Sequence, residues 1–197
     1  MNLSCKLSMA VVLTMLLMPM TQAASLTAQN GGALAVSGFG GFSNEPGGFD
    51  VFRQTTFDSG LHYGAALAIR LSPGVAVRGE FASSSSSGQE TGAVNETVDF
   101  DRTYYGMTVE ARFPRGVVTP YVLGGGGFVT VHRQAPSLTY EFTELAGRAG
   151  AGISFPFSAF PLEAFGELSQ WFYPRATTGE GVQRDTNLSV GLSLLAF

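Results

Sequence analysis

The amino-acid sequence predicts an all-β fold, an eight-stranded antiparallel up-and-down barrel, from three observations. Of the 197 residues only 13% are charged and 26 are glycine, whereas a typical soluble domain has about 25% charged residues. Apolar and polar residues alternate with a period of two in successive segments, which is typical of strands with two different faces. Short turns and long polar connections alternate between these segments, as they do at the two ends of an up-and-down barrel.

The first 24 residues are predicted to be a cleaved signal peptide, and residues 25–197 the barrel domain. Lys6 precedes an apolar run from Met9 to Met20, which is too short for a membrane anchor that spans the bilayer. Cys5 is the only cysteine and would leave with the peptide, so disulfides and thiolate metal sites are excluded from the mature chain. Its ten arginines against fifteen acids do not favour a nucleic-acid partner.

The first three strands are predicted in order from this alternation. The segment from residue 33 to 44 has the weakest pattern, because both of its faces are small or apolar. From Leu61 to Leu71 every odd position is apolar or aromatic, and after a turn at 72–74 the same alternation continues from Val75 to Phe81. These two segments form a predicted hairpin.

Five more strands complete the set, with the pattern returning at residues 103–113, 121–131, 145–155, 162–172 and 188–196. The short connections are 72–74, 114–120 and 156–161, and the long polar ones are 43–60, 83–102, 133–140 and 174–184. A soluble sandwich would not need this regular difference between the two ends.

The polar face of the strands distinguishes a membrane barrel from a soluble one with an apolar, ligand-binding interior. It carries nine charged residues, which we predict form a lumen salt-bridge network: Arg70, Arg78, Glu80, Glu110, Arg112, Glu144, Arg148, Glu163 and Glu167. So many charges require pairing inside a narrow interior. The apolar face ends in predicted aromatic girdles: Tyr63, Phe81, Tyr105 and Phe172 toward the long loops, and Phe113, Tyr121 and Phe155 toward the short turns.

These features together resemble the small outer-membrane β-barrels of the OmpA-transmembrane, OmpX and opacity-protein type. The resemblance covers residues 25 to 197 and implies the fold and the outer membrane of a Gram-negative-type envelope, but no particular activity. It implies that the terminal aromatic, Phe197, is the signal read by the barrel-assembly machinery. Phe197 lies out of phase with Leu188 to Leu194, and a bulge near Leu195 or an inward-turned end would reconcile the two.

Enzymatic chemistry is not favoured, and no cofactor or metal is expected. The two histidines, His62 and His132, are predicted to face the lumen near the loop ends. Lipid A acyl-chain enzymes with a barrel fold carry a His-Tyr-Ser run, whereas here Gly64 follows His62 and Tyr63. The run from Gly124 to Gly127 is predicted to lie within a strand rather than in a phosphate-binding loop.

The long loops are predicted to form an acidic, solvated crown next to lipopolysaccharide. Five arginines and ten acidic residues are assigned to this crown, among them Arg102, Arg133 and Asp185. Residues 83–87 are assigned to a flexible rise into the second loop. Four loop phenylalanines are candidate hydrophobic anchors for a surface ligand: Phe49, Phe52, Phe57 and Phe100. We therefore expect a monomeric, non-enzymatic barrel for adhesion or envelope integrity, with a small porin-like channel and a lipid A-modifying enzyme as alternatives.

Overall fold

The computed structural model describes residues 33–44, 54–57, 59–91, 96–136, 138–157, 159–174 and 181–196. In this part of the chain the strands are β1 (Ala33–Asn44), β2 (Gln54–Phe57), β3 (Gly60–Ser72), β4 (Val75–Thr91), β5 (Glu96–Arg112), β6 (Thr119–Gln134), β7 (Tyr140–Pro156), β8 (Leu162–Pro174) and β9 (Val182–Ala196). No helix in these residues is long and apolar enough to cross a membrane. The predicted signal peptide, Phe197, Phe49 and Phe52 lie outside the described residues.

Eight of these strands close into an antiparallel barrel. The hydrogen-bonded order is β4–β3–β1–β9–β8–β7–β6–β5, and β5 pairs back onto β4. The short strand β2, which the sequence pattern did not predict, adds to the far end of β4, where Gln54 pairs with Thr91. The predicted eight-stranded up-and-down barrel is confirmed.

The stagger of the strands makes the barrel interior narrow. Following paired residues once around the barrel from Asp185 leads back to Leu195, ten positions further along the same strand. Such a stagger requires strands that tilt strongly against the barrel axis, by about 35–45° in known barrels. An eight-stranded barrel has an interior that side chains alone can fill.

The hairpin of β4 and β5 is much longer than the sequence pattern suggested. The predicted loop 83–102 is wrong, because β4 continues to Thr91 and β5 begins at Glu96. Pairing extends without interruption from Ser83 opposite Thr103 to Glu90 opposite Glu96, so the serine run is strand rather than a flexible rise. On the inner face Phe100 is buried in the apolar cluster that also includes Val129 and Val131, so it is not a surface anchor.

The phase of β6 is opposite to the prediction. Tyr121 is only 3% exposed, whereas Val122 and Phe128 are exposed on the outer surface. Consequently Tyr121 is not a girdle residue, and His132 lies on the outer face beside Glu141, with 3.4 Å between His132 Nδ1 and Glu141 Oε2. The sequence alternation predicted the wrong phase because apolar residues lie on both faces of β6, and its four glycines do not distinguish an apolar face from a polar one.

The short connections lie where the sequence placed them, and the last strand is more regular than expected. The second turn closes with a hydrogen bond from the Arg115 N–H to the Val118 carbonyl oxygen, and Gly116 within it has a φ of 64°, which glycine adopts without strain. β9 pairs with β1 without a shift from Thr186 to Ala196. The proposed bulge near Leu195 is therefore absent.

Candidate functional site

Arg78, on the lumen face of β4, is the centre of an ion-pair network inside the barrel. Its guanidinium lies 2.7 Å from Glu80 Oε2, 3.2 Å from Glu110 Oε1 and 2.7 Å from Glu167 Oε2. Arg148 contacts two of the same carboxylates, with 2.6 Å from Nη2 to Glu167 Oε1 and an ion pair from Nη1 to Glu80. The side chains of all five residues are at most 6% exposed, so the charges are held by one another rather than by bulk water.

The network continues toward the short turns through Arg112. This guanidinium lies 3.1 Å from Glu110 Oε2 and 2.7 Å from Glu163 Oε1, and it donates to Ser154 Oγ at 3.0 Å. Glu163 also pairs with Arg70 at 2.6 Å. The pairing is therefore continuous from Arg148 in the middle of the lumen to Arg70 near the turns.

We call this set the lumen network: Arg70, Arg78, Glu80, Glu110, Arg112, Arg148, Glu163 and Glu167. Its four positive and four negative charges balance. Of the nine residues predicted from the sequence, Glu144 is the exception, because within the described residues it joins none of these pairs. A cavity of about 20 Å³ remains beside the network, which is space for about one water molecule.

Aromatic side chains cover the lumen network on the side that faces the long connections. The Arg148 guanidinium carbon lies 5.3 Å from the Trp171 ring centroid, and Trp171 stacks on Tyr104 with 5.3 Å between ring centroids. Trp171 is fully buried and occupies the space that Gly106 leaves, since a Cβ at Gly106 would lie 2.5 Å from Trp171 Cη2. This layer was not predicted from the sequence.

A second polar group, which we call the upper cluster, lies above Trp171 and centres on the buried carboxylate of Asp185. It accepts hydrogen bonds from the Tyr104 hydroxyl at 3.0 Å, the Tyr173 hydroxyl at 2.7 Å and Gln183 Nε2 at 3.3 Å, and Arg102 Nε lies 3.6 Å away. Arg102 and Asp185 are 0% exposed, so their assignment to a solvated crown is wrong.

Arg133, a second arginine assigned to the crown, is also buried rather than solvated. Its Nη1 donates to the Leu138 carbonyl oxygen at 2.6 Å, and its guanidinium carbon lies 5.5 Å from the Tyr140 ring centroid. These contacts tie the connection between β6 and β7 back onto the barrel.

The two histidines lie on different sides of the barrel wall. His62 is 3% exposed and contacts the rings of Phe39 and Tyr104, at 5.6 and 5.9 Å between centroids. His132 faces outward. Among the described residues, no group of three or more histidine, cysteine or acidic side chains is placed to hold a metal ion.

The outer surface carries the predicted aromatic residues other than Tyr121. Tyr63, Phe81, Tyr105, Phe113 and Phe155 are 43–58% exposed, and Phe172 is half-buried on the same face. Phe81 and Tyr105 pack edge to face, with 5.3 Å between ring centroids. Tyr121 instead donates from its hydroxyl to Glu167 Oε2 at 3.0 Å, so it belongs with the lumen network.

Comparison with known proteins identifies the architecture. Residues 9–172 match the family model described as the outer membrane protein beta-barrel domain. No curated protein sequence is significantly similar to the chain.

Three solved structures illustrate the likeness in fold. Neisserial surface protein A is 14% identical with a TM-score of 0.55, covering 85% of this chain and 97% of that one. OprG of Pseudomonas aeruginosa is 12% identical with a TM-score of 0.55, covering 83% and 95%. The attachment invasion locus protein Ail of Yersinia pestis is 15% identical with a TM-score of 0.50, covering 83% and 97%.

Proposed function

The chain belongs to the outer-membrane β-barrel family, and from that premise we propose that it is a non-conducting, non-enzymatic barrel that presents an extended β-sheet at the cell surface. Its location is the Gram-negative outer membrane, where barrels of this family place their short turns in the periplasm and their longer connections outside. The lumen network is the observation that carries the non-conducting part of the proposal.

The charge balance of the network supports a plug rather than a pore. A channel that selects for ions needs exposed charges or a hydrated path along its axis. Here eight charges neutralise one another across the lumen, and Trp171 covers them on the extracellular side. The alternative of a small porin-like channel requires this arrangement to open.

Bilayer recordings test the plug directly. We expect refolded residues 25–197, inserted into a planar bilayer, to give no discrete conductance steps, because the lumen network and Trp171 fill the middle of the described part of the lumen. A fluorescent dye attached to Ser87→Cys reports whether the protein is present in the bilayer. Ser87 is exposed, and residues 25–197 contain no other cysteine. Gel mobility before and after boiling verifies that the protein is folded. Salt-dependent steps from inserted, folded protein would make the channel the primary function.

An enzymatic role has little support from the histidine positions. His62 is enclosed between aromatic rings inside the lumen, and His132 lies outside the wall, so the two do not form one site. We therefore assign neither histidine a catalytic role.

The surface-contact part of the proposal rests on the β4–β5 hairpin. Beyond the outward-facing Phe81, β4 continues for ten residues to Thr91, about 33 Å of strand. The outer face of this extension is hydrophilic, with exposed Ser85, Ser87, Asp99 and Asp101. A continuously paired sheet with a polar outer face suits contact with another surface, and we propose that its base also contacts lipopolysaccharide headgroups. Recognition of Phe197 by the assembly machinery also remains a proposal.

Shortening the hairpin tests this role. Replacing residues 87–99 with Asn-Gly joins Ser86 to Phe100, which are paired, through a two-residue turn. We expect attachment of cells displaying this variant to an epithelial monolayer to fall several-fold, while the barrel still folds. In the matched control, Gly-Ser replaces residues 135–139 in the connection between β6 and β7. Cells displaying this variant should attach normally. Equal attachment by both variants would remove the hairpin from the proposed function.

A further inference from the structure

The outer surface of the barrel has a groove one strand wide near its periplasmic end. The outward residues of β8 at this level are small, Ala164 and Gly166, and they form the floor. The neighbouring strands supply bulky walls: Ile153 and Phe155 on β7, and Val190 and Leu192 on β9. The pairing places Ile153 and Val190 on either side of Gly166, and Phe155 and Leu192 on either side of Ala164.

The groove is closed at one end and continues into a second hollow at the other. Its volume is about 480 Å³, and a Cβ at Gly166 would meet nothing within 4 Å. Exposed Leu168 follows on β8 and closes the groove toward the membrane centre. At the other end a second hollow of about 540 Å³, lined by Phe157, Phe160 and Leu162, continues toward the short turn.

We propose that the β8 groove, formed by Ile153, Phe155, Ala164, Gly166, Val190 and Leu192, binds one acyl chain of a phospholipid from the periplasmic leaflet. The groove is continuous with the apolar outer surface that contacts lipid in this family, and it opens at the short-turn end. None of its lining side chains is polar or charged, so the acyl chain is recognised rather than the headgroup. This inference is independent of whether the lumen conducts.

The groove is too narrow to take a helix or the wall of a second barrel. The walls stand on strands two positions apart, about 9–10 Å between backbones, and the wall side chains narrow this gap further. A helix with its side chains is about 10–12 Å across, and the wall of a second barrel is too broad to enter. A single hydrocarbon chain is thin enough to reach the floor at Gly166.

Photo-crosslinking distinguishes a bound lipid from lipid that merely surrounds the barrel. The refolded protein is placed in phosphatidylethanolamine vesicles that contain a phosphatidylethanolamine with a diazirine in its acyl chain. We expect crosslinks per residue on β7–β9 to exceed those on β3–β5 by at least fivefold. Crosslinks spread evenly around the barrel would overturn the proposal.

Filling the floor provides the matched comparison. Gly166→Leu is expected to abolish the enrichment, and Ala164→Leu is a second variant with the same expectation should the first fail to fold. Gly79→Leu is the control and should keep the wild-type enrichment. Gly79 also faces outward with nothing within 4 Å of a Cβ. It lies outside the β8 groove, between the bulky side chains of Val77 and Phe81 on β4. If Gly166→Leu and Ala164→Leu keep the wild-type enrichment, the groove is not the binding site.

Discussion

Replacing Arg78 with methionine is expected to lower the free energy of unfolding by about 3–5 kcal/mol, the cost of removing one partner from a buried ion pair. Arg78 pairs with Glu80, Glu110 and Glu167, and methionine would leave these carboxylates with fewer partners in a site that excludes water. Urea titration of the barrel refolded in phospholipid vesicles, followed by circular dichroism and by gel mobility, measures the change.

Two variants make this result specific to the network. Arg115→Met changes an exposed arginine in a turn and should stay within about 0.5 kcal/mol of wild type. Adding Glu167→Gln to Arg78→Met should recover part of the loss, because it neutralises one carboxylate left without its partner. An Arg78→Met barrel as stable as the Arg115→Met barrel would contradict a structural role for the network.

Gly127→Ala is expected to destabilise the barrel by about 3 kcal/mol or more, beyond the usual range for overpacking. Gly127 faces the lumen on β6, and a Cβ there would fall inside contact distance of the Tyr105 carbonyl oxygen and the Gly106 backbone. These are backbone atoms, so β5 and β6 would have to separate. The loss should appear in the same urea titration and as a reduced folded fraction on unboiled gels.

Gly124→Ala, three residues away in the same glycine run, is the control with the opposite expectation. A Cβ at Gly124 meets nothing within 4 Å, and alanine restricts the unfolded chain more than glycine does, so stability should be unchanged or higher by up to about 1 kcal/mol. Equal losses at both positions would mean that the glycine run acts through flexibility rather than through close approach of the backbone.

The fold could be predicted because most strands have two chemically different faces. In β3, in β4 up to Phe81 and in β9 from Leu188 to Leu194, apolar residues alternate with polar or small ones, which indicates both the strand and the side that faces lipid. On β6 the same logic failed, since Val129 and Val131 face inward while Val122 and Phe128 face outward. Tyr121 has a polar hydroxyl and an apolar ring, so its local pattern does not reveal which face it occupies.

The lumen network could be predicted from the sequence, whereas the upper cluster could not. Eight of the nine predicted network residues do meet in the lumen, because their strands were placed in phase. Arg102 and Asp185 were assigned to solvent because β5 and β9 were predicted to begin at residues 103 and 188, whereas they begin at Glu96 and Val182. The alternation of Val98 and Phe100 with Asp99 and Asp101 was the available signal that β5 begins before Thr103. The serine run on β4 hid this signal, because that part of β4 is held by backbone pairing with β5 and not by apolar side chains.

The position of Trp171 has a practical consequence for following assembly. It is the single tryptophan of the chain, and it points into the lumen between Arg148 and Tyr104. Its intrinsic fluorescence therefore reports closure of the interior, while brominated acyl chains in the surrounding bilayer are kept away from the indole by the barrel wall. The time course of Trp171 emission thus follows packing of the interior, and gel mobility in the same refolding reaction records the completed barrel.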